Sequence, residues 1–229
     1  MENKKPIVEL ELYLIRHGQS MGNAGYDKEN LTLKESNDPY LTKLGISQAQ
    51  KAGNALSGIN FDAVYSSALL RAVQTANEII KKQPEEKELN ILPLLTETGI
   101  APEYPGAGME EICRICPTAK LADGITENDP LVFHSTIKKE KEMFERAYKT
   151  IDYLRSHHKS GEKVAVINHA AYMTFVIFSI MGYSNCPSFD IDFNNTGITK
   201  AVFYKEGTNK YGDIVFEYIN ATNHLTDKY

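Results

Sequence analysis

Val164-Ala165-Val166-Ile167 is an unbroken apolar run closed on either side by the polar residues Lys163 and Asn168. A run of this kind describes a strand buried on both faces, which calls for a parallel sheet covered by helices above and below. The rest of the chain supplies the partners. Residues 9–15 read as a strand with Leu10, Leu12 and Leu14 on one face and Ile15 at its end. Thr42 suits the N-cap of a helix running to about Leu56, with Ile46, Ala49, Ala52, Gly53 and Leu56 at helical spacing. Phe61–Tyr65 forms a short strand, after which Ser66 or Ser67 caps a helix through Ile80.

Asn90–Leu95 is a further strand. Pro93 removes a ladder donor from it and demands an edge position or a break. A helix from about Thr136 to His157 turns Ile137, Phe144, Ala147, Tyr148, Ile151 and Leu154 inward. Ala170–Met181 is a largely apolar helix stopped by Gly182. Ile198–Tyr204 and Ile214–Ile219 close the chain as an antiparallel pair. This order predicts an α/β fold: a three-layer sandwich with a mainly parallel sheet, helices on both faces and an antiparallel edge.

The stretch from Asn23 to Pro39 is polar and reads as loop. Residues 99–133 carry Pro102, Pro105, Pro117 and Pro130 without sustained periodicity, and read as a cap-like insertion over one face. With no repeat and no linker, residues 1–229 are expected to form one domain.

A net charge of −5 argues against nucleic acid as a partner. The longest apolar stretch is too short to span a bilayer, and no leader pattern is visible, so a cytoplasmic location is expected. Cys113 and Cys116 form a C-x-x-C pair, but only Cys186 is left as a further thiol, so a reduced pair without a metal is the better reading.

In open α/β sheets, ligands bind beyond the carboxyl ends of the strands. Four segments place a functional group there. Leu12–Ile15 leads to Arg16 and His17, Val64–Ser67 to Arg71, Leu92–Leu95 to Glu97, and Val164–Ile167 to His169. Arg71 falls near a helix start, where a cation opposes the helix dipole and a bound anion would reverse the penalty. An arginine turned toward solvent or a nearby acid is the alternative. Gly18 after His17 permits close backbone approach to a ligand, although a lone histidine beside a strand is more often a satisfied core residue. Glu97, taken alone, reads equally well as a solvated loop acid.

Arg16-His17-Gly18 with Ser20 and Asn23 resembles the opening motif of the histidine phosphatase superfamily, the phosphoglycerate-mutase-like family. Leu41-Thr42-Lys43-Leu44-Gly45 with Gln48-Ala49 resembles its next helix entry. Tyr65-Ser66-Ser67-Ala68-Leu69-Leu70-Arg71-Ala72-Val73-Gln74-Thr75-Ala76 resembles its second-arginine segment, and Val166-Ile167-Asn168-His169 its second-histidine strand. The resemblance covers residues 10–98 and 162–182 and is thin over 99–133. Gln19 stands where many relatives carry glutamate, and Ala170-Ala171 replaces a common Gly-Gly.

The resemblance implies a small phosphorylated substrate and a phosphohistidine on His17. Arg16, Arg71 and His169 would hold phosphoryl oxygens, Ser20 and Asn23 would bind substrate, and Glu97 would move the proton. Neither metal nor cofactor is required. It implies a phosphatase first, with a phosphoglycerate mutase or a non-catalytic phospholigand-binding module as alternatives. The cap segment, with Tyr104, Met109 and Arg114, would line the substrate side.

Overall fold

The computed structural model describes residues 5–25 and 31–226. Its strands are β1 (Val8–Arg16), β2 (Ala63–Ser66), β3 (Leu89–Ile91), β4 (Ala119–Leu121), β5 (Glu162–Asn168), β6 (Ile198–Tyr204) and β7 (Ile214–Ala221). Its helices are α1 (Leu33–Asn37), α2 (Lys43–Leu56), α3 (Leu70–Ile80), α4 (Met109–Ile115), α5 (Glu140–Ser156) and α6 (Ala170–Ile180). The strands form one sheet in the order β4-β3-β2-β5-β1-β6-β7. The first five in that order pair in parallel, while β6 runs antiparallel to β1 and β7 antiparallel to β6. This is the α/β fold the sequence predicts.

Alternation along the central strands divides the core in two. Leu10, Leu12 and Leu14 of β1, with Val164 and Val166 of β5, pack against α5 and α6. Tyr13, Ile15, Ala165 and Ile167 face the other way, against α2, α3 and α4. Each layer therefore draws on the same two strands, and truncating Leu12 or Leu14, both wholly buried, would cost about 2–5 kcal/mol. The α6 helix ends where Gly182 turns left-handed at φ 88. There Gly182 N–H donates to the Ser179 carbonyl and Tyr183 N–H to that of Phe178, which closes the helix in a Schellman motif.

Several boundaries differ from the sequence reading, each for a local reason. The polar stretch before Pro39 contains α1, nucleated by a reciprocal capping box between Thr32 and Glu35. Residues 26–30 of that stretch lie outside the described residues. The α3 helix starts at Leu70, not at Ser66 or Ser67, because both serines are still committed to the strand end. Pro93 resolves as a break: β3 stops at Ile91, lies inside the sheet, and gives way to a 3-10 turn over Pro93–Leu95. Ile46, Ile137 and Tyr148 are exposed, the second because α5 begins only at Glu140. Residues 99–133 carry α4 and the edge strand β4, which pairs Ala119 with Leu89.

Candidate active site

The strand ends are stitched together by backbone hydrogen bonds. His17 N–H donates to the Asn168 carbonyl at 3.0 Å, and Ser67 N–H to that of Ile167 at 3.2 Å. The residues after β1, β2 and β5 are thus held in one plane, at the sheet's carboxyl edge. The loop after β1 is fixed from α3, where Thr75 Oγ1 accepts from Gly18 N–H at 3.0 Å. It is also fixed from α2, where Gln48 accepts from Gln19 N–H at 2.8 Å. Gly18 is required here by a neighbouring backbone: a Cβ on it would stand 2.4 Å from the Gly45 carbonyl oxygen.

His17 is buried at 4% exposure, and its Nδ1 lies 2.7 Å from the Gly18 carbonyl. A carbonyl only accepts, so Nδ1 carries the proton and the lone pair resides on Nε2. Nε2 has no protein partner among the described residues. Burial, then the charges of Arg71 and Arg16, push the His17 pKa well below the usual imidazole value, against a smaller opposing effect of the Gly18 carbonyl. The ring is therefore neutral at physiological pH.

The His169 ring lies 5.0 Å from that of His17, centroid to centroid. It occupies the N-cap position of α6 and is fully buried. Ser67 Oγ stands 2.6 Å from its Nε2 and accepts from Leu69 N–H, so the serine proton is free to donate to Nε2. With the serine as donor, Nδ1 carries the proton and is a buried donor with no protein partner. Its pKa is lowered by burial, then by Arg71, His17, Arg16 and Arg146.

Both arginines reach this pair. Arg16 donates to the Phe193 carbonyl and leaves Nε unpartnered in the interior. Arg71 is 7% exposed and donates from Nη1 to the Asn37 carbonyl at 3.1 Å. The alternative of a nearby acid is partly realised, because Asp38 Oδ1 lies 3.7 Å from the same nitrogen. Glu97 is not a solvated loop acid. Its carboxylate accepts from Tyr172 N–H at 2.9 Å and Ala171 N–H at 3.3 Å, and so caps the start of α6 beside His169. Ser20 is buried and donates to Asn23 Oδ1, while Asn23 itself is exposed. Asn195 bridges the two halves, donating to the His17 carbonyl and to Asn23 Oδ1.

Of the cap residues, Tyr104 is buried and donates to Asp38 Oδ2 at 2.9 Å, and Met109 packs at the edge of the α2–α4 core layer. Arg114 is exposed and paired with Glu110. A cavity of about 890 Å³ beside the histidine loop is lined in part by Met21, Lys34, Asp38, Tyr40 and Leu41. Cys113 and Cys116 carry free thiols, and among the described residues no cluster of His, Cys, Asp or Glu could hold a metal ion.

Sequence reasoning assigned no role to Asp38, Thr75, Asn195 or Arg146. Arg146 is 7% exposed, stacks over Tyr172 at 3.9 Å, and leaves Nε and Nη1 unpartnered. Its scarcity value as one of few arginines was the available signal, but its helical spacing concealed it.

A mainly parallel sheet with two neutral histidines, the half-buried Arg16 and the buried Arg71 at its carboxyl edge defines an α/β protein of the phosphoglycerate-mutase-like fold. The chain belongs to the histidine phosphatase superfamily (branch 1), whose profile matches residues 12–211. It is 36% identical over 115 residues to the fructose-2,6-bisphosphatase TIGAR of Xenopus laevis, a match spanning 49% of this chain and 39% of that protein. It is 42% identical over 109 residues to the 2,3-bisphosphoglycerate-dependent phosphoglycerate mutase of Bartonella henselae, spanning 46% of this chain and 50% of that one. The matched stretch is thus half or less of either relative. The phosphoserine phosphatase of Entamoeba histolytica, solved with 3-phosphoglyceric acid, shares the fold at a TM-score of 0.62 and 24% identity, covering 95% of this chain and 100% of that one. Among the described residues no helix is long and apolar enough to cross a membrane.

Proposed function

We propose that this protein is a metal-independent phosphatase that hydrolyses a small phosphorylated metabolite through a phosphohistidine on His17. The observation that carries this reading is the tautomer of His17: Nδ1 is tied to the Gly18 carbonyl, so a neutral ring presents its Nε2 lone pair. In the first step Nε2 attacks phosphorus, the bond to the substrate oxygen breaks, and Glu97 gives that oxygen its proton. In the second, Glu97 takes a proton from water as the water oxygen attacks phosphorus, and the P–Nε2 bond breaks to release inorganic phosphate. Arg16, Arg71 and His169 Nδ1–H hold the equatorial oxygens throughout, which is the main source of stabilisation in this chemistry.

Hydrolysis is favoured over mutase chemistry by the state of the cations in the adjacent cavity and the cap segment. Lys34, the one cation among the described residues lining the adjacent cavity, is bound by Glu111 at 2.5 and 2.7 Å. In the cap segment, Arg114 is paired with Glu110 and Lys120 with Glu88. None of these is left uncompensated for the second phosphate of a bisphosphoglycerate. The mutase reading keeps the support of the Bartonella henselae relative. Phosphate release from a panel of phosphorylated metabolites, with and without 2,3-bisphosphoglycerate, decides between them. Release without the bisphosphate is expected; isomerisation that depends on it would favour the mutase, and no turnover with retained phosphate binding would favour a binding module.

A further inference from the structure

Asp38 is a buried carboxylate, 1% exposed, that the proposed reaction does not use. Both of its oxygens are taken. Oδ1 accepts from Leu70 N–H at 2.7 Å, at the open start of α3, and Oδ2 accepts from the Tyr104 hydroxyl at 2.9 Å. The next residue of α3 is Arg71, whose Nη1 stands 3.7 Å from Oδ1. A charge-assisted hydrogen bond would bring these atoms to about 2.7–2.9 Å. The carboxylate is therefore close enough to offset the guanidinium charge but does not consume its donors.

The surroundings explain why the gap stays open. Arg71 Nη1 is drawn to the Asn37 carbonyl, and Asn37 Oδ1 in turn accepts from Ala101 N–H at 2.7 Å. Tyr104 is anchored among Leu69, Ile100 and Val132. The carboxylate is thus pulled toward the helix start and the cap, away from the arginine. Among the described residues Arg71 Nε and Nη2 have no protein partner.

We propose that Asp38 is a positioning residue that acts as a fixed counter-charge, held off from Arg71 so that the arginine keeps its donors for a phosphoryl group but releases inorganic phosphate readily. The proposal rests on the reading of Arg71 as a phosphate ligand. In the free protein the carboxylate partly satisfies the buried cation. Bound phosphate must compete with that field, which weakens its hold on the product.

Two variants separate this role from a structural one because they move phosphate affinity in opposite directions. Asp38→Asn keeps the shape, and its Oδ1 still accepts from Leu70 N–H, but it removes the charge. At pH 8 it is expected to lower the Kd for inorganic phosphate, by isothermal titration calorimetry, about tenfold. Its kcat on an aryl phosphate falls while kcat/KM holds. Tyr104→Phe frees Oδ2, lets the carboxylate close on Arg71, and raises the same Kd about threefold. Affinity that is unchanged or weakened in Asp38→Asn, or shifts of the same sign in both variants, would overturn the proposal. Wild-type protein that neither binds phosphate nor releases it from any substrate would overturn the phosphatase reading and this proposal with it.

Discussion

The imidazoles of His17 and His169 stand 5.0 Å apart, inclined at 57°, and each commits one ring nitrogen to the protein. Two cationic rings at this separation beside Arg16 and Arg71 would repel strongly, and burial penalises the charged form of each. Both pKa values accordingly lie well below 6.5. A histidine whose folded pKa is depressed is charged in the unfolded chain before it is charged in the folded one. The pair therefore supports the fold fully above pH 6.5, and that support is lost as pH falls below it. Turnover should follow the same direction: the acid limb of kcat/KM should fall at a midpoint below 6.5. Arg71→Gln should raise the His17 pKa, read from its ring proton shifts. An acid limb centred above 6.5 in the wild type would contradict a neutral nucleophile.

Replacing His17 by alanine removes the attacking nitrogen and leaves the bonds of His17 N–H to Asn168 and of Gly18 N–H to Thr75 in place. Turnover should drop to background while the far-UV spectrum is unchanged. In the wild type, labelled phosphate trapped on the protein should be lost in acid and retained in alkali, as expected of a phosphoramidate. The reverse stability would point to a phosphorylated hydroxyl.

The approach of the histidine loop to α2 gives a prediction about the scaffold alone. A Cβ on Gly45 would stand 2.0 Å from the Gln19 carbonyl oxygen, and one on Gly18 would meet Gly45 in return. Neither contact can relax by turning a side chain, because backbone faces backbone. Gly45→Ala should destabilise the fold by about 1–3 kcal/mol or more, lowering Tm by roughly 3–10 °C. Gly58→Ala, where nothing lies within 4 Å, is the control and should stay within about 0.5 kcal/mol. Equal melting curves for the two would refute the close-approach argument.

The strands and the functional groups at their ends could be read from the sequence because alternation and apolar runs are local signals. Leu10, Leu12 and Leu14 announce one face of β1, and Val164–Ile167 announces burial on both. Side chains whose meaning depends on distant backbone could not be read this way. Asp38 lies in a polar stretch that resembles loop, and only the fold sets it against Leu70 N–H. Thr75 and Arg146 sit inside amphipathic helices where any polar residue passes for surface. The stretch around Thr32 and Glu35 reads as loop because α1, with five residues, is too short for apolar periodicity to mark it. The exposure of Ile137 follows from a helix start that no cap residue marks.

Asp38 also leaves a trace in stability. Burial raises its pKa to about 6, more than Arg71, the Tyr104 hydroxyl, Leu70 N–H and Lys34 lower it. An acid whose folded pKa is raised holds its proton longer in the folded state than in the unfolded one. Its contribution is thus largest below the usual aspartate value, and it declines as pH rises through about 6. This runs opposite to the two histidines, so the wild-type curve alone would mix the effects. The difference between Asp38→Asn and wild type isolates it. Asparagine has no charge to bury, so the variant's Tm relative to wild type should climb between pH 4 and pH 7 and end about 5 °C higher. A difference that is flat across that range, or that falls, would mean that the carboxylate is not held charged against its surroundings. At neutral pH this protein would then retain Asp38 at no cost to its stability.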